Sequence, residues 1–249
     1  YFEAAVAAGI PVLKPLIESL RGEELSRITG IINGTSNYIL TSMEEGSDYK
    51  KALATAQELG YAEPDPTNDV KGIDAKYKAM ILSLICFGVT PSTDDLFTEG
   101  IATVTKEDFE WANRLGQTIK LVAIIDNEQD GFNARVFPVL INKKHPLASI
   151  RGALNAVVVE GKNIDQLVFS GPGAGANPTA SAIIGDVLSA CHQISSGQSN
   201  WYPLRKPTTA IKSFEQVTSS MFIRLSVSDK PGVLASIAGT LGENNVSIQ

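Results

Sequence analysis

The chain has 249 residues, of which 43% are hydrophobic, and its formal net charge is −6. This length and composition suit one large domain, or one domain and a smaller piece, around a sizeable core. The acidic balance argues against nucleic-acid binding, and no apolar run approaches the roughly 18 residues that span a bilayer.

The first fifteen residues, YFEAAVAAGIPVLKP, are mostly small and contain a Gly-Ile-Pro turn between apolar flanks. This pattern predicts a tight, buried connection in which large side chains would not fit. The chain starts at Tyr1 and not at a methionine, so we expect it to begin inside a longer protein. Cys86 and Cys191 both lie among apolar residues, which predicts two buried thiols in a reducing, cytoplasmic compartment.

Five short stretches that are rich in apolar and β-branched residues are predicted to be strands. They are residues 25–33, 120–125, 132–140, 155–160 and 166–170. Helices are predicted at 48–59, 69–87 and 105–115, the third of them capped by Thr105, with a last one that ends near Ser195. Residues 95–103 are predicted to be a loop. The chain is therefore predicted to be an α+β protein with a mixed sheet of about five strands covered by helices.

A helix is predicted to open at Gly34-Thr35-Ser36-Asn37, directly after the first strand. Thr35 or Ser36 is predicted to cap this helix, because a hydroxyl oxygen there can accept a hydrogen bond from an unpaired backbone N–H group. A role for Thr35 in a ligand pocket is an equal alternative on these residues alone.

Carboxylates, a lysine, glycines and prolines are concentrated in residues 56–78, AQELGYAEPDPTNDVKGIDAKYK. Pro64 and Pro66 predict an extended or turning segment, after which apolar spacings of three and four predict the helix 69–87. Asp74 and Lys78 are four residues apart and lie on one flank of that helix. They form either an ordinary helix salt bridge or a catalytic pair in which the lysine holds or transfers a proton.

This stretch resembles the characteristic motif of homoserine dehydrogenases. The matching residues are Ala56, Gly60, Tyr61, Glu63, Pro66, Asp69, Gly72, Asp74 and Lys78. The resemblance implies that Lys78 is the catalytic proton donor and acceptor, positioned by Asp74. It also implies that the substrate is bound by Glu63, Asp69, Asp74, Thr35 and Tyr61. Asn68 departs from the pattern, because some members of the family carry a second Asp there.

The reaction that the resemblance implies is the NADP- or NAD-dependent interconversion of L-homoserine and L-aspartate 4-semialdehyde. It belongs to the aspartate pathway, which supplies threonine, methionine and isoleucine. The resemblance further implies a structural sodium ion bound near the start of the chain. Its ligands would be the side chain of Glu3 and the backbone carbonyls of Val6, Ala8 and Ile10.

A second glycine-rich stretch, GPGAGANPT at residues 171–179, lies between a predicted strand and a predicted helix. Glycines allow another molecule to approach the backbone, and a helix N-terminus offers N–H groups to a ligand. The stretch is neither a P-loop nor a complete dinucleotide fingerprint, and a tight structural turn is an equal alternative. The family resemblance implies that it contacts the nicotinamide cofactor through Gly175 and Gly173.

The last residues, from Met221 to Gln249, predict a strand, a turn at 229–232, a helix and the start of another strand. They resemble the first βαβ portion of a ferredoxin-like ACT domain, which is an amino-acid-sensing fold. We therefore predict a catalytic and dimerisation domain at 1–200, a linker at 201–219 and a partial ACT-like domain at 220–249. The resemblance implies a homodimer or homotetramer, with threonine as an effector.

The amino-terminal Rossmann domain through which the family binds its cofactor is not recognisable in the sequence. We therefore expect the chain to be inactive by itself. Two other functions stay open on the residues alone. One is a lyase or aldolase in which Lys78 forms a Schiff base, and the other is an amino-acid-binding regulatory protein.

Overall fold

The structure is a computed structural model that describes residues 1–128, 130–197, 203–207 and 209–246. The chain forms two units, Tyr1–Val217 and Thr218–Gln249. None of the described helices is both long enough and apolar enough to cross a membrane.

The larger unit contains six strands and seven α-helices among its described residues. The strands are β1 (Leu25–Ile31), β2 (Phe97–Thr98), β3 (Gln117–Glu128), β4 (Gly131–Asn142), β5 (Leu154–Gly161) and β6 (Asp165–Pro172). The helices are α1 (Leu13–Ile17), α2 (Gly34–Glu44), α3 (Tyr49–Glu58), α4 (Thr67–Val70), α5 (Ile73–Phe87), α6 (Lys106–Arg114) and α7 (Ala176–Ser196). Three short 3₁₀-helices lie at Glu3–Ala5, Pro146–Ser149 and Phe214–Gln216, and the smaller unit contains α8 (Val233–Glu243).

The strands form one mixed sheet in the order β2-β4-β3-β1-β5-β6. All five predicted strands are present, and the predicted α+β class is confirmed. The loop predicted at 95–103 is wrong in part, because β2 within it pairs in parallel with β4. The other neighbours are antiparallel. Two residues are too few to show the alternating pattern by which a strand is recognised in a sequence.

The main hydrophobic core lies between the helices and one face of the sheet. Ile28 and Ile32 of the β1 region belong to it with Leu82 and Ile85 of α5. Ile31 points to the opposite face, where a smaller cluster includes Leu147 of the second 3₁₀-helix. This alternation follows from the two-residue period of a strand. It fixes the end of β1, from which the chain enters α2.

The helix predicted at 69–87 is two helices, α4 and α5, which are separated at Gly72. Gly72 has φ +75°, in the left-handed region that favours glycine. A Cβ atom there would lie 3.3 Å from Thr98 Cγ2 and 3.4 Å from Val136 Cγ1, so β2 and β4 leave little room for a side chain. Because of this break, Asp69 lies on α4 and Asp74 lies on α5.

Two helix caps illustrate one wrong and one correct prediction. The cap of α2 is Asn33, whose Oδ1 accepts a hydrogen bond from Ser36 N at 2.8 Å, and not Thr35 or Ser36. Asn33 was assigned to the preceding strand, which hid its capping role. Thr105 caps α6 as predicted, in a capping box with Asp108.

The prediction of two buried thiols is half wrong. Cys86 on α5 is buried, and desolvation raises the pKa of its thiol to about 12. Cys191 on α7 is exposed, and none of the residues of α7 is buried. The apolar neighbours of Cys191 suggested a core, but α7 leaves its apolar side chains uncovered by the described residues.

Most of the described residues of the predicted linker, 203–207 and 209–217, belong to the larger unit. Arg205 donates to the carbonyls of Leu20 and Glu23, and Lys212 N donates to Phe132 O at 2.8 Å. In the smaller unit, the predicted helix is present as α8, but residues 218–230 form no strand. A strand requires a partner for its backbone groups, and the described residues of the smaller unit supply none. The other predicted strand begins at Val246, and its remainder, 247–249, lies outside the described residues.

Candidate active site

Four polar side chains meet where β1 ends and the chain passes through α2, α4 and α5. They are Asn33, Asp69, Asp74 and Lys78. The sequence motif predicted the proximity of Asp69, Asp74 and Lys78, but it did not include Asn33. The cluster is partly buried, and it combines one cation with two carboxylates.

Lys78 is held by two acceptors. Its Nζ lies 2.6 Å from Asp74 Oδ2 and 3.1 Å from the backbone carbonyl of Ile32. An ammonium group has three N–H donors, so one remains without a partner among the described residues. The side chain is 21% exposed, which lets a small ligand reach that donor. The geometry therefore suits a lysine that donates to, or takes a proton from, a bound oxygen atom.

Asn33 connects the two carboxylates. Its Nδ2 donates to Asp69 Oδ1 at 2.6 Å and to Asp74 Oδ2 at 2.9 Å. The pKa of Asp69 is raised above its ordinary value, chiefly by burial and further by the charges of Asp74 and Glu63. The hydrogen bond from Asn33 and the charge of Lys78 act in the opposite direction. Burial and the neighbouring negative charges thus disfavour the charged form of Asp69, and a perturbed pKa of this kind is a frequent property of functional sites.

The remaining predicted substrate residues lie around this cluster. Thr35 Oγ1 donates to the carbonyl of Tyr61, and the rings of Tyr61 and Tyr38 are 4.9 Å apart. Glu63 is exposed, and its negative charge is close enough to raise the pKa of Asp69. Thr35 and Tyr61 therefore contact each other, and Glu63 adds a third carboxylate at the edge of the cluster.

The predicted cofactor loop is closely packed against Asn155 at the start of β5. A Cβ atom on Gly173 would lie 2.0 Å from Asn155 Cγ, and Gly175 has φ +116°. Only glycine fits the first position, and the second favours glycine. Both side-chain polar atoms of Asn155 are buried without a hydrogen-bond partner in the described chain. Buried polar atoms normally have a hydrogen-bond partner, so these two leave room for a polar group or a water molecule beside the loop.

The predicted sodium ligands lie in one tight segment. The Glu3 carboxylate accepts hydrogen bonds from Leu13 N at 2.7 Å and Lys14 N at 2.8 Å. None of the described backbone N–H groups donates to the carbonyls of Val6, Ala8 or Ile10. These residues are almost fully buried, so unused carbonyl oxygens and a nearby carboxylate fit the oxygen ligands that a hard cation prefers.

The family model described as "Homoserine dehydrogenase" matches residues 11–188, which include the whole cluster and the whole glycine loop. The chain belongs to the homoserine dehydrogenase family. A homoserine dehydrogenase of Mycobacterium bovis is 44% identical over the whole chain, and one of Corynebacterium glutamicum is 42% identical. The chain spans 58% and 57% of the lengths of these two relatives.

Solved structures of homoserine dehydrogenases have the same fold. A homoserine dehydrogenase from Thiobacillus denitrificans is 37% identical, with a TM-score of 0.83 over 99% of this chain and 59% of that one. A hyperthermophilic archaeal homoserine dehydrogenase in complex with NADPH is 32% identical, with a TM-score of 0.67 over 78% of this chain and 56% of that one. The larger unit is therefore a homoserine dehydrogenase fold, in agreement with the motif at 56–78.

The raised pKa of Asp69 predicts that its carboxyl group lowers the free energy of unfolding of the chain. When the pKa of a carboxyl group is higher in the folded state, the free energy of unfolding of the protein falls as the pH rises from the unfolded pKa through the folded pKa. Above both pKa values the whole loss is present. Asp69→Asn is therefore expected to raise the midpoint of thermal unfolding of the chain, as measured by calorimetry.

Asp65→Asn is the matched control for Asp69→Asn. Asp65 is exposed, and hydrogen bonds from Thr67 lower the pKa of its carboxyl group. Its stabilising contribution is present above the unfolded pKa, so this substitution should lower the midpoint slightly. A fall in both variants would show that burial of Asp69 carries no cost.

Gly173→Ala tests the close contact in the homoserine dehydrogenase glycine loop. The added methyl group would overlap the buried Asn155 side chain, and overpacking of this kind costs about 1–3 kcal/mol. We expect a lower midpoint in urea unfolding. Gly185→Ala in α7 is the control, because nothing lies within 4 Å of its Cβ and alanine favours the helix. Equal stability of the two variants would contradict the packing that the structure shows.

Proposed function

We propose that the chain forms the substrate-binding and proton-transfer part of a homoserine dehydrogenase. The reaction is the interconversion of L-homoserine and L-aspartate 4-semialdehyde with NADP or NAD, in the synthesis of threonine, methionine and isoleucine. The observation that carries this proposal is the position of Lys78. Its ammonium group is fixed by Asp74 and Ile32 O, and one N–H donor is left at an accessible position.

In the direction of reduction, Lys78 donates a hydrogen bond to the aldehyde oxygen and then transfers a proton to it. The developing negative charge on that oxygen is stabilised by the ammonium group. In the reverse direction, the neutral amine takes the proton from the hydroxyl group of homoserine. Asp74 holds the amine at 2.6 Å in a charge-assisted hydrogen bond, which fixes its position during both steps.

The acidic residues of the site suit an amino-acid substrate. Both L-homoserine and L-aspartate 4-semialdehyde carry an α-ammonium group, which is attracted to carboxylates. Glu63 and Asp69 are the carboxylates at the edge of the cluster that are not paired with Lys78. We propose that they bind the ammonium group and thereby orient the reacting end of the substrate towards Lys78.

The nicotinamide cofactor gives or accepts the hydride when it is bound. Gly173 and Gly175 would let it approach the backbone, and α7 begins directly after this loop. Five large apolar side chains of α7 are exposed: Ile183, Ile184, Val187, Leu188 and Ile194. An apolar face of this size supports the packing of a further protein part against α7, such as a nucleotide-binding domain. The chain alone is then expected to be inactive.

Four finer features are part of the proposal. The segment from Glu3 to Ile10 would hold a structural sodium ion, in line with its unused carbonyls. The enzyme would be a cytoplasmic homodimer or homotetramer. Threonine would act as an effector through the smaller unit, whose turn and helix α8 match the centre of the expected βαβ pattern. Size measurement in solution and threonine titration of the activity test the last two of these.

The decisive experiment is reconstitution. The chain is joined to the nucleotide-binding domain of a homoserine dehydrogenase, and homoserine-dependent reduction of NAD and NADP is followed. We expect turnover with this reconstituted enzyme and none with either part alone. A folded fusion that binds homoserine but does not oxidise it would contradict the proposal and favour an amino-acid-binding regulatory protein. Borohydride trapping of the substrate on Lys78 would favour the Schiff-base alternative.

A further inference from the structure

Asn33 occupies the only position in the described cluster that contacts both helices of the motif. Asp69 comes from α4 and Asp74 from α5, and Gly72 separates these two helices. One amide nitrogen lies within 2.9 Å of an oxygen of each carboxylate, so its two N–H bonds point to different helices. The orientation of the amide is set on its other side, where Oδ1 accepts from Ser36 N.

The two carboxylates need this donor to different extents. Asp74 Oδ2 also accepts from Lys78, so part of its charge is compensated by an ammonium group. For the Asp69 side chain, the hydrogen bond from Asn33 is the one that the described residues provide. The charged groups that act on Asp69 are Asp74 and Lys78 of α5 and Glu63 of the preceding turn, and two of these three are negative. Removal of the amide would leave Asp69 beside like charges without a donor.

We propose that Asn33 is a positioning residue of the active site: its amide donates to Asp69 and Asp74 at once, holds these two carboxyl groups side by side and keeps Asp74 on Lys78. The inference rests on the proposed dehydrogenase function for its effect on catalysis. Without the amide, Asp69 binds a proton more readily, because the neutral acid removes the repulsion with Asp74. The site then loses a negative charge that the substrate ammonium group needs.

The double role of Asn33 can be separated by substitution. Its Oδ1 caps α2, and both serine and aspartate are good N-cap residues. Asn33→Ser keeps a capping oxygen but has no N–H group that reaches the carboxylates. Asn33→Asp keeps the cap and the shape, removes both donors and adds a further negative charge. Asp48→Ala is the control, because it removes the cap of α3 without touching the cluster.

The first test is independent of any activity. The side-chain carboxyl carbon of Asp69 is followed by NMR titration in the chain, and it is assigned by its absence in Asp69→Asn. We expect its pKa to rise further in Asn33→Ser and most in Asn33→Asp, and to stay unchanged in Asp48→Ala. An unchanged titration of Asp69 in Asn33→Ser, with helix α2 intact by circular dichroism, would overturn the inference.

The second test connects the inference to the reaction. In the reconstituted enzyme, kcat/KM for homoserine in Asn33→Ser should fall about tenfold at acidic pH and recover as the pH rises, because a lost hydrogen bond to a charged group has about this effect. The acid limb of the pH profile should move upwards, which loss of a cap alone would not cause. If the reconstituted wild type is active and the acid limb of its pH profile coincides with that of Asn33→Ser, the positioning role of Asn33 is refuted. An inactive wild type, with the NMR shift present, refutes the proposed function and leaves the electrostatic role standing.

Discussion

Lys78→Met is expected to lower kcat for homoserine oxidation in the reconstituted enzyme by about 10²–10⁴-fold, the usual range for loss of a general acid or base. Methionine preserves the apolar stem but has no group that can exchange a proton. The KM for homoserine should change only a few-fold, since we propose that carboxylates and not Lys78 bind the substrate ammonium group. Steady-state kinetics with saturating cofactor measure both values.

Lys76→Met is the control for this substitution. Lys76 lies two residues earlier on α5, about 200° around the helix axis from Lys78, and thus away from the cluster. It should leave both kcat and KM close to the wild-type values. If Lys78→Met raised KM and left kcat unchanged, the lysine would bind the substrate without taking part in proton transfer.

The pair of Asp74 and Lys78 could be predicted because its geometry is local. A helix places residues four apart on the same flank, so the contact at 2.6 Å follows from spacing alone. The motif resemblance then favoured a catalytic pair over an ordinary helix salt bridge. Local helix geometry together with a long motif was therefore enough to predict the contact between Asp74 and Lys78.

Asn33 was beyond the reach of the same reasoning. It is 36 residues from Asp69 and 41 from Asp74 in the sequence, and the contacts exist only because β1 ends beside α5. The one available signal was the residue type, because an asparagine directly before a predicted helix start is a good cap. Its second hydrogen-bonding function depends on tertiary packing, which a single sequence does not display.

The break at Gly72 and strand β2 were missed for related reasons. The apolar residues after Asp69 have the spacing of one long helix, whereas the left-handed conformation of Gly72 and its close packing beside Thr98 and Val136 are tertiary features that spacing does not show. In the smaller unit the alternation of apolar residues predicted a strand. A strand also requires a neighbouring strand whose N–H and C=O groups can pair with its own, and a sequence pattern does not show whether that partner is present.

Lys120 gives the second large expected effect, and it concerns the stability of the fold. This residue of β3 is 1% exposed, and its Nζ contacts Asn37 Oδ1 at 3.1 Å and Ile150 O at 2.6 Å. Desolvation lowers the pKa of its ammonium group from 10.5 to about 8, although the charge of Glu44 opposes this shift. The sequence does not reveal this burial, because a lysine in an apolar strand usually has its ammonium group in solvent.

The sign of the pH dependence follows from the proton balance. Between pH values of about 8 and 10.5 the unfolded chain holds the lysine proton more tightly than the folded chain, so the free energy of unfolding increases with pH. At 1.36 kcal/mol per pKa unit, the shift corresponds to a gain of about 3 kcal/mol across this window. Urea unfolding at several pH values measures it directly.

Lys120→Met is expected to abolish most of this pH dependence and to make the chain more stable at neutral pH, where the buried ammonium group is charged. The cost of leaving Asn37 Oδ1 without its donor, about 1–3 kcal/mol, reduces the gain. Lys144→Met, at an exposed lysine, should reproduce the wild-type dependence. Equal slopes in Lys120→Met and wild type would show that the lysine is solvated in the folded state. Asn37 of α2 also donates to the carbonyls of Ile150 and Leu154, so the hydrogen bond from Lys120 joins α2 to β3 and to the start of β5. A confirmed effect would show that the fold tolerates a buried charge in order to make this connection.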